Sequence, residues 1–300
     1  MSAEQQIHVI FNPISGQGDS GRELETLESC LAGVGNLVVH LTSEDVDGNI
    51  LAKQALSEGA DLIVASGGDG TVSGVAAALI NTDVPLGIIP RGTVNAFASA
   101  MNIPESIADA CELIKQGHTR RVDTARCNDR SLLLLASIGF EADLMEETDR
   151  ETKNKYGKLA ILVNGLKQLQ NLQAFELTIE MRDDSQEFNA SAVVAANAAT
   201  LATFLAQGPE EVEVSDGNLD VTVIRPEGRW DAITSAADLF FSGLFNRAAQ
   251  HDMVTHLRAP QITITANPAQ KVLVDGELVG KTPIDIECLK HSLIVVVPES

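Results

Sequence analysis

Short apolar runs alternate with longer amphipathic stretches through the first 120 residues of the chain. Ile7–Phe11 and Leu62–Ala65 have the length of buried strands, whereas Arg22–Leu31 places its apolar residues at helical spacing. Strands that alternate with helices predict a doubly wound, mostly parallel α/β sheet. The predicted strands are Ile7–Phe11, Asn36–Leu41, Leu62–Ala65 and Leu86–Ile89, and the predicted helices are Arg22–Leu31, Ile50–Glu58, Val72–Ile80 and Thr93–Met101.

Beyond that region strands follow one another with few helices between them, apart from one long stretch of helical spacing, Asp143–Leu169. Gln261–Thr265 alternates apolar and polar residues, which is typical of a half-buried strand. This order predicts a β-rich, sandwich-like second domain. We therefore expect two domains, residues 1–122 and 123–300, with the last strand able to return to the first domain. The predicted strands are Ser131–Ser137, Phe175–Met181, Ala190–Ala196, Leu219–Ile224, Gln261–Thr265, Lys271–Val274 and Leu293–Val297.

The chain is strongly acidic, with 42 Asp and Glu residues against 21 Lys and Arg residues and a net charge of −21. Such a surface repels nucleic acids at long range, so no nucleic-acid partner is expected. No apolar run approaches the ~18–20 residues of a membrane span. The first six residues lack the features of a signal peptide, and we expect a cytoplasmic protein.

Three polar, glycine-bearing segments follow predicted strands: Asn12–Gly21, Ser66–Thr71 and Pro90–Asn95. The carboxyl ends of the strands of a doubly wound sheet meet at the edge where ligands bind, so we expect these segments to converge. Small residues let backbone N–H groups approach a phosphate, and a helix N-terminus adds favourable charge. Asp69 is a candidate for organising Mg²⁺, for binding a substrate proton, or for capping its helix. Arg91 is a candidate phosphate partner.

A different function is suggested by Gly16–Gly21, which fits the G-x-G-x-x-G pattern of dinucleotide-binding folds. With Glu44 as a ribose-binding acid, this pattern predicts an NAD-dependent oxidoreductase. Asn12–Ser15, however, separates the first glycine from the strand end, where the pattern requires a tight turn. Gly276–Thr282 has one residue too few between its glycines for a phosphate-binding P-loop and predicts a hairpin instead.

Several motifs occur in the order found in one known family. Asn12-Pro13-Ile14-Ser15-Gly16, Gly67–Thr71 and Gly92–Asn95 resemble the diacylglycerol kinase-like lipid kinase family, in its bacterial YegS/DgkB branch. The resemblance continues through the second half and so covers almost the whole chain. The later motifs are Ser137–Ala142, Lys155–Ala160, Asp216–Val221 and Val274–Glu277.

The resemblance implies a two-domain kinase that transfers the γ-phosphoryl group of ATP to a hydroxyl of diacylglycerol or a related lipid. ATP would bind to the first domain, and the lipid would lie in the cleft beside the β-rich domain. The positions that match nucleotide-binding residues of the family are Asn12, Pro13, Ile14, Ser15, Gly16, Thr42, Gly67, Gly68, Asp69, Gly70, Thr71, Gly92, Thr93 and Asn95.

The same resemblance implies catalytic residues, with Glu277 as the first choice for the general base, Asp275 as the second, and Asp69 beside the phosphates. It also implies a Mg²⁺ site, whose oxygen ligands suit a hard cation. ATP and Mg²⁺ are therefore the expected cofactors. The residues that match the metal site are Glu213, which stands where Asp is usual, Asp216, and Asn218 through its carbonyl.

Departures from the family pattern keep other functions open. Ala96 stands where many members carry an acid, and Ser73-Gly74 stands where Asn-Glu is common, so acids near the phosphates are missing. This loss leaves open a nucleotide-binding regulator with weak catalysis. The Gly-Gly-Asp-Gly run leaves open an NAD kinase.

A lipid acceptor requires contact with a membrane surface, and we expect that contact to be peripheral. Asp238–Phe245 contains three of the nine Phe residues and predicts either an interfacial helix or a helix of the core. The oligomeric state stays open, with a homodimer as one option.

Overall fold

The computed structural model describes residues 5–16, 18–139, 174–182, 184–198, 213–225 and 254–299. The chain divides into two compact units, Met1–Thr124 with Lys290–Ser300, and Ala125–Leu289. The predicted helical stretches Asp143–Leu169 and Asp238–Phe245 lie outside the described residues. Among the residues that are described, no helix is long and apolar enough to cross a bilayer.

The first unit is a parallel sheet with helices. Its strands follow the order β2-β1-β3-β4, and the end of the last strand of the chain pairs with β4, all in parallel. The central strands are apolar and buried along almost their whole length, because a parallel sheet is covered on both faces. The strands are β1 (Gln6–Phe11), β2 (Asn36–Leu41), β3 (Leu62–Gly67) and β4 (Leu86–Pro90), and the helices are α1 (Ser20–Leu31), α2 (Gly48–Ser57), α3 (Asp69–Leu79), α4 (Ala96–Ala100) and α5 (Ile107–Gln116).

Three of these helices begin at polar caps that the sequence supplies locally. Asp19 accepts hydrogen bonds from the first amides of α1, Asp47 accepts one from Ile50, and Ser106 accepts one from Asp109. Such caps satisfy backbone N–H groups that have no partner within the helix. They fix the residue at which each helix starts.

The second unit is built from antiparallel strands in two sheets. One sheet has the order β12-β11-β10-β7-β14-β15, and the other joins the first part of β16 to β13, β8 and β9. Two strands run through both units: β5 (Thr119–Cys127) begins in the first unit, and β16 (Ile284–Val296) ends in it. The strands that lie wholly in the second unit are β6 (Arg130–Leu132), β7 (Leu135–Ile138), β8 (Phe175–Met181), β9 (Asp184–Ala190), β10 (Ala192–Ala196), β11 (Leu219–Ile224), β12 (Val254–Ala259), β13 (Gln261–Asn267), β14 (Lys271–Val274) and β15 (Glu277–Lys281).

One hydrophobic core joins the two sheets of the second unit. Ile262 and Ile264 of β13 belong to the same buried cluster as Val193 of β10 and Val221 of β11. Alternate residues of each strand therefore face a common interior, as in a β-sandwich. The predicted fold class, a parallel α/β domain followed by a β-rich sandwich-like domain, is confirmed.

Several elements differ from their predictions for identifiable reasons. The predicted strand Ser131–Ser137 is two strands, because the amides of residues 133–135 are taken by a distant carboxylate described below. The predicted helix Thr93–Met101 shortens to α4, since Asn95 adopts a left-handed conformation with φ of 52°. Helix α5 was not predicted, and nor were the strands β5, β9 and β12. The hairpin predicted at Gly276–Thr282 is confirmed by the pairing of β14 with β15.

Candidate functional site

The carboxyl ends of β1, β3 and β4 bring the three glycine-bearing segments together. The Asn12 amide donates to the Ser66 carbonyl over 2.9 Å, and the Arg91 amide donates to the Gly67 carbonyl over 2.8 Å. Thr42 follows β2 at the same edge, where its amide donates to Phe11 over 3.0 Å. The predicted nucleotide-binding residues of all four strand ends therefore lie in one place.

The second and third segments touch through glycine backbones. A Cβ atom on Gly92 would lie 2.6 Å from the Gly68 Cα, and a Cβ atom on Gly67 would lie 2.5 Å from the Thr71 hydroxyl oxygen. Real Cβ atoms do not approach other atoms so closely, so glycine is required here for packing. By contrast, nothing lies within 4 Å of a Cβ placed on Gly70, which faces open space.

Side chains of the first segment fasten it to the second. Asn12 donates from Nδ2 to the Thr71 hydroxyl over 3.0 Å and accepts at Oδ1 from the Ile14 amide over 3.0 Å. The Ser15 hydroxyl accepts from the Gly68 amide over 3.3 Å. Asn12, Ser15 and Thr71 thus hold the segments in register, whereas the Ile14 side chain is 70% exposed.

Arg91 is a buried clamp, which argues against its interpretation as a phosphate partner. Only 2% of its side chain is exposed, and its guanidinium lies 3.9 Å from the centre of the Phe11 ring. It donates to the Asn12 carbonyl over 2.9 Å and to the Ser15 carbonyl over 2.7 Å. From Nε it donates to Glu23 over 2.8 Å, and Nη2 contacts the same carboxylate. Its donors are therefore directed at protein groups that shape the first segment.

Asp69 caps a different helix from the one it begins. Its Oδ1 accepts from the Phe97 amide over 3.4 Å, while the N-cap residue of its own helix α3 is Gly68, which offers no side chain. Burial raises the pKa of Asp69, and the amides of Ala96, Phe97 and Asn95 partly oppose the rise. The side chain is thus held at the start of α4, beside the third segment.

Asn95 closes the third segment on itself. Its Oδ1 accepts from the Gly92 amide over 2.7 Å, and its Nδ2 donates to the Gly92 carbonyl over 2.9 Å. This closed loop leaves Thr93 exposed at its tip. The exposed positions of the second and third segments, Gly70 and Thr93, are open to a ligand.

In the second unit, the two candidates for the general base differ in their surroundings. Asp275 accepts at Oδ2 from the Leu133 amide over 2.8 Å and at Oδ1 from Leu134 and Leu135 over 2.8 and 3.1 Å. Glu277, at the start of β15, has a 75% exposed side chain that lies 3.7 Å from Arg130. Asp275 therefore anchors the start of β7, whereas the Glu277 carboxylate faces solvent.

The residues matched to a Mg²⁺ site are arranged around an arginine. Asp216 accepts at Oδ1 from the Asn218 amide over 2.8 Å, and its Oδ2 contacts Arg258. Arg258 also lies 3.0 Å from Asp220, and Glu213 is exposed. The Asp216 carboxylate therefore already pairs with a cationic side chain, and the metal-binding role of Glu213, Asp216 and Asn218 stays a prediction.

The turn that holds Asp216 and the turn that holds Asp275 lie at the same edge of one sheet. The start of β11 and the end of β14 are three strand spacings apart, which corresponds to about 14 Å. The predicted metal ligands and the predicted base therefore form two separate groups. Two residues that shape the candidate site were not identified from the sequence: Glu23, which binds Arg91 of the first unit, and Arg258, which binds Asp216. Each lies far in sequence from its partner and belongs to no recognisable motif.

Comparison with known families assigns both halves of the chain. Residues 6–127 match the diacylglycerol kinase catalytic domain, and residues 135–297 match the YegS C-terminal NAD kinase beta sandwich-like domain. The boundary between the two matches lies between β5 and β7.

Two relatives align with nearly the whole of this chain. An uncharacterized protein of Synechocystis, sll0036, is 43% identical over 97% of this chain and 70% of its own. A diacylglycerol kinase of Staphylococcus haemolyticus is 28% identical over 97% of this chain and 88% of its own.

Solved structures give the same result. The crystal structure of a candidate diacylglycerol kinase from Bacillus anthracis covers 99% of both chains with a TM-score of 0.82 and 27% identity. Yeast NADH kinase, solved with NADH, shares the fold alone, with a TM-score of 0.56 and 11% identity over all of this chain and 85% of its own. Two matching domains and near full-length relatives establish that the chain belongs to the diacylglycerol kinase family of lipid kinases, in its YegS branch.

Proposed function

We propose that this protein transfers the γ-phosphoryl group of ATP to a lipid hydroxyl, with a diacylglycerol-like lipid as the acceptor. The observation that carries the proposal is the contact between the Gly68 and Gly92 backbones, which joins two glycine loops at one sheet edge. Phosphoryl transfer depends on positioning and on charge stabilisation, and both are supplied by fixed backbone amides. A loop cradle of this kind suits a triphosphate.

The nucleotide would be held by the first unit. The first turn of α3, which contains Gly70 and Thr71, offers backbone N–H groups and the favourable end of an eleven-residue helix to phosphate oxygens. Thr93 lies exposed on the neighbouring loop. Arg91 would act indirectly, by fixing the shape of the segment that begins at Asn12.

Mg²⁺ would enter with the nucleotide rather than through the Asp216 group. Asp69 is the only acid in the segments Asn12–Gly16, Gly67–Thr71 and Arg91–Asn95, and an oxygen ligand suits a hard cation. The ion would supply neutralisation of the charge on the phosphates. We assign Asp69 the role of orienting that ion through water while its Oδ1 caps α4.

Glu277 is the better candidate for the general base that accepts the hydroxyl proton. Its carboxylate is exposed and lies 3.7 Å from Arg130, so a substrate hydroxyl can reach it. The Asp275 oxygens are occupied by three backbone amides, which makes an anchoring role the better interpretation for that residue. We propose that Asp275 holds the hairpin that presents Glu277.

The function is tested by incubating the protein with γ-labelled ATP and separate acceptors: diacylglycerol, a sphingoid base and phosphatidylglycerol in mixed micelles, and NAD in solution. We expect label in the organic phase, highest with diacylglycerol. Label on NAD alone would favour the NAD kinase alternative. ATP binding without transfer to any acceptor would favour a regulator and would contradict the kinase proposal.

A matched pair of variants connects the assay to the site. Glu277→Gln should abolish most of the transfer, whereas Glu287→Gln removes a comparable surface carboxylate, paired with Arg126 over 2.6 Å, and should keep it. Equal losses in both variants would indicate a general effect on folding rather than a role for Glu277.

A further inference from the structure

Two histidines and a glutamate meet on one face of the parallel sheet in the first unit. His8 of β1 is in register with Val38 of β2, so His40, two residues further along, projects from the same face as His8. Glu58 is the C-cap residue of α2, which contacts β1. Within the described residues, the ligand atoms of these three side chains lie within 4.8 Å of one another.

The three ligand atoms form a compact triangle. His8 Nδ1 lies 2.9 Å from His40 Nε2 and 3.6 Å from Glu58 Oε2, and His40 Nε2 lies 4.0 Å from Glu58 Oε2. A point equidistant from the corners of such a triangle is about 2.1 Å from each, which matches the usual distances from Zn²⁺ to imidazole nitrogen and carboxylate oxygen. The two imidazole nitrogens face each other over 2.9 Å, so a modest rotation of the rings would be needed to point both lone pairs at the ion and to bring it out of the plane of the three ligand atoms.

The surroundings of His8 favour a neutral imidazole next to a fixed carboxylate. The His8 and His40 side chains are 3% and 10% exposed. Burial and the neighbouring His40 lower the pKa of His8, which Glu58 only partly opposes, so the ring keeps a lone pair for a ligand. Gln54 donates to Glu58 Oε1 over 2.8 Å, which orients Oε2 toward the histidines.

The cluster is separate from the nucleotide loops. His8 precedes Asn12 by four residues of extended strand, which corresponds to about 13 Å, and His40 precedes Thr42 by two residues, about 7 Å. The loops lie at the carboxyl ends of the strands, whereas the cluster lies beneath the C-terminal end of α2. Carbonyl groups at the end of a helix carry partial negative charge, which favours a cation.

We propose that His8, His40 and Glu58 bind one divalent transition metal ion, for which Zn²⁺ is the best chemical match. Two imidazoles and one carboxylate are a ligand set of borderline softness, unlike the oxygen-only sets that Mg²⁺ prefers. A fourth position would be open to water, because the Glu58 side chain is 43% exposed. The ion would link β1, β2 and α2 and would stabilise the unit that holds the nucleotide loops.

The test measures binding of Zn²⁺ and Co²⁺ to the full chain after treatment with a chelator. Isothermal titration should give one site that is lost in His40→Gln and weakened at least tenfold in Glu58→Gln. Bound Co²⁺ should give the visible absorption of tetrahedral nitrogen and oxygen ligation, without a thiolate charge-transfer band. Zn²⁺ at about 100 times its Kd should raise the Tm by about 5–10 °C.

His118→Gln is the matched control, because His118 lies on the surface of the same unit, 3.6 Å from Glu299. This variant should keep the site. Circular dichroism of each metal-free variant separates loss of ligands from loss of fold, and Glu58→Gln, at a half-exposed position, should fold in any case.

The proposal fails if the wild type binds neither ion, or if His40→Gln and Glu58→Gln bind both ions as the wild type does. The first result would leave a hydrogen bond between the two imidazoles as the explanation of their 2.9 Å separation. Either failure would leave the proposed kinase reaction untouched, because none of these three residues belongs to it.

Discussion

Replacing Arg91 with Met should destabilise the first unit, because it removes the guanidinium that joins the first glycine loop to α1. The Met side chain can still cover the Phe11 ring, so the loss is mainly polar. Breaking a buried ion pair from one side costs about 3–5 kcal/mol. The Glu23 side chain is 23% exposed and can regain water, so we expect the lower end, about 3 kcal/mol.

A loss of this size corresponds to a fall in Tm of about 10 °C for a unit of this length. Thermal and urea unfolding followed by far-UV circular dichroism would measure it. The matched control is Arg121→Met, which removes an exposed ion pair with Asp83 that spans 2.8 Å. That change should cost less than about 1 kcal/mol.

The double variant Arg91→Met, Glu23→Gln should recover part of the loss, since it leaves no unpaired charge. If Arg91→Met and Arg121→Met lower the Tm equally, the guanidinium does not hold the loop and the clamp interpretation is wrong. ATP affinity should fall together with stability in Arg91→Met, because the misplaced loop belongs to the proposed nucleotide site.

The remaining predictions concern the loops and the proposed base. Glu277→Gln should lower the rate of transfer about 10²–10⁴-fold with ATP affinity unchanged, as measured by steady-state kinetics and titration; an unchanged rate would exclude Glu277 as the base. Asp69→Asn should lower the rate of transfer at least tenfold, because it removes the proposed Mg²⁺-orienting carboxylate. It should not lower the Tm: burial raises the pKa of Asp69, and a neutral Asn avoids the cost of ionising a buried carboxyl group. Its stability advantage over the wild type should be full at pH values above the raised pKa of Asp69 and should vanish as the pH falls to the ordinary pKa of Asp. Unchanged kinetics would leave Asp69 only its capping role. Gly92→Ala should cost about 1–3 kcal/mol and weaken ATP binding, since the new methyl group overlaps Gly68. Gly70→Ala, at an open position of helix α3, should not lower the Tm and should raise it slightly. Equal Tm values for the two variants would refute the close approach.

The fold and the family could be predicted from the sequence because their signals are local. Each central strand of the parallel sheet is a short apolar run, and each glycine loop follows its strand directly. Neighbouring residues in the sequence are therefore enough to predict the order of these elements. The contacts that refine this picture are long-range. Asp275 accepts hydrogen bonds from the amides of residues 133–135, and Arg91 pairs with Glu23. No motif or regular spacing in the sequence links the two partners of either contact.

The assigned roles of the predicted site residues stay predictions, and here too distance in sequence sets the limit. Matching a motif could suggest Asp216 as a metal ligand, but not the presence of Arg258 beside its carboxylate. It could suggest Asp69 as an acid near phosphates, but not its position at the start of α4. His8, His40 and Glu58 come from three elements with no common motif, so only the folded chain brings them together.

The last residues of the chain complete the sheet with which the chain begins. Lys290–Ser300 belong to the first unit, where Val295 is fully buried and pairs with Leu86. In the order of the chain, the β-rich unit is therefore inserted into the α/β unit and does not simply follow it. A truncation after Thr124 would expose the edge of β4 and invite aggregation. A chimaera that exchanges acceptor specificity between relatives would need two junctions, one near residue 124 and one near residue 290.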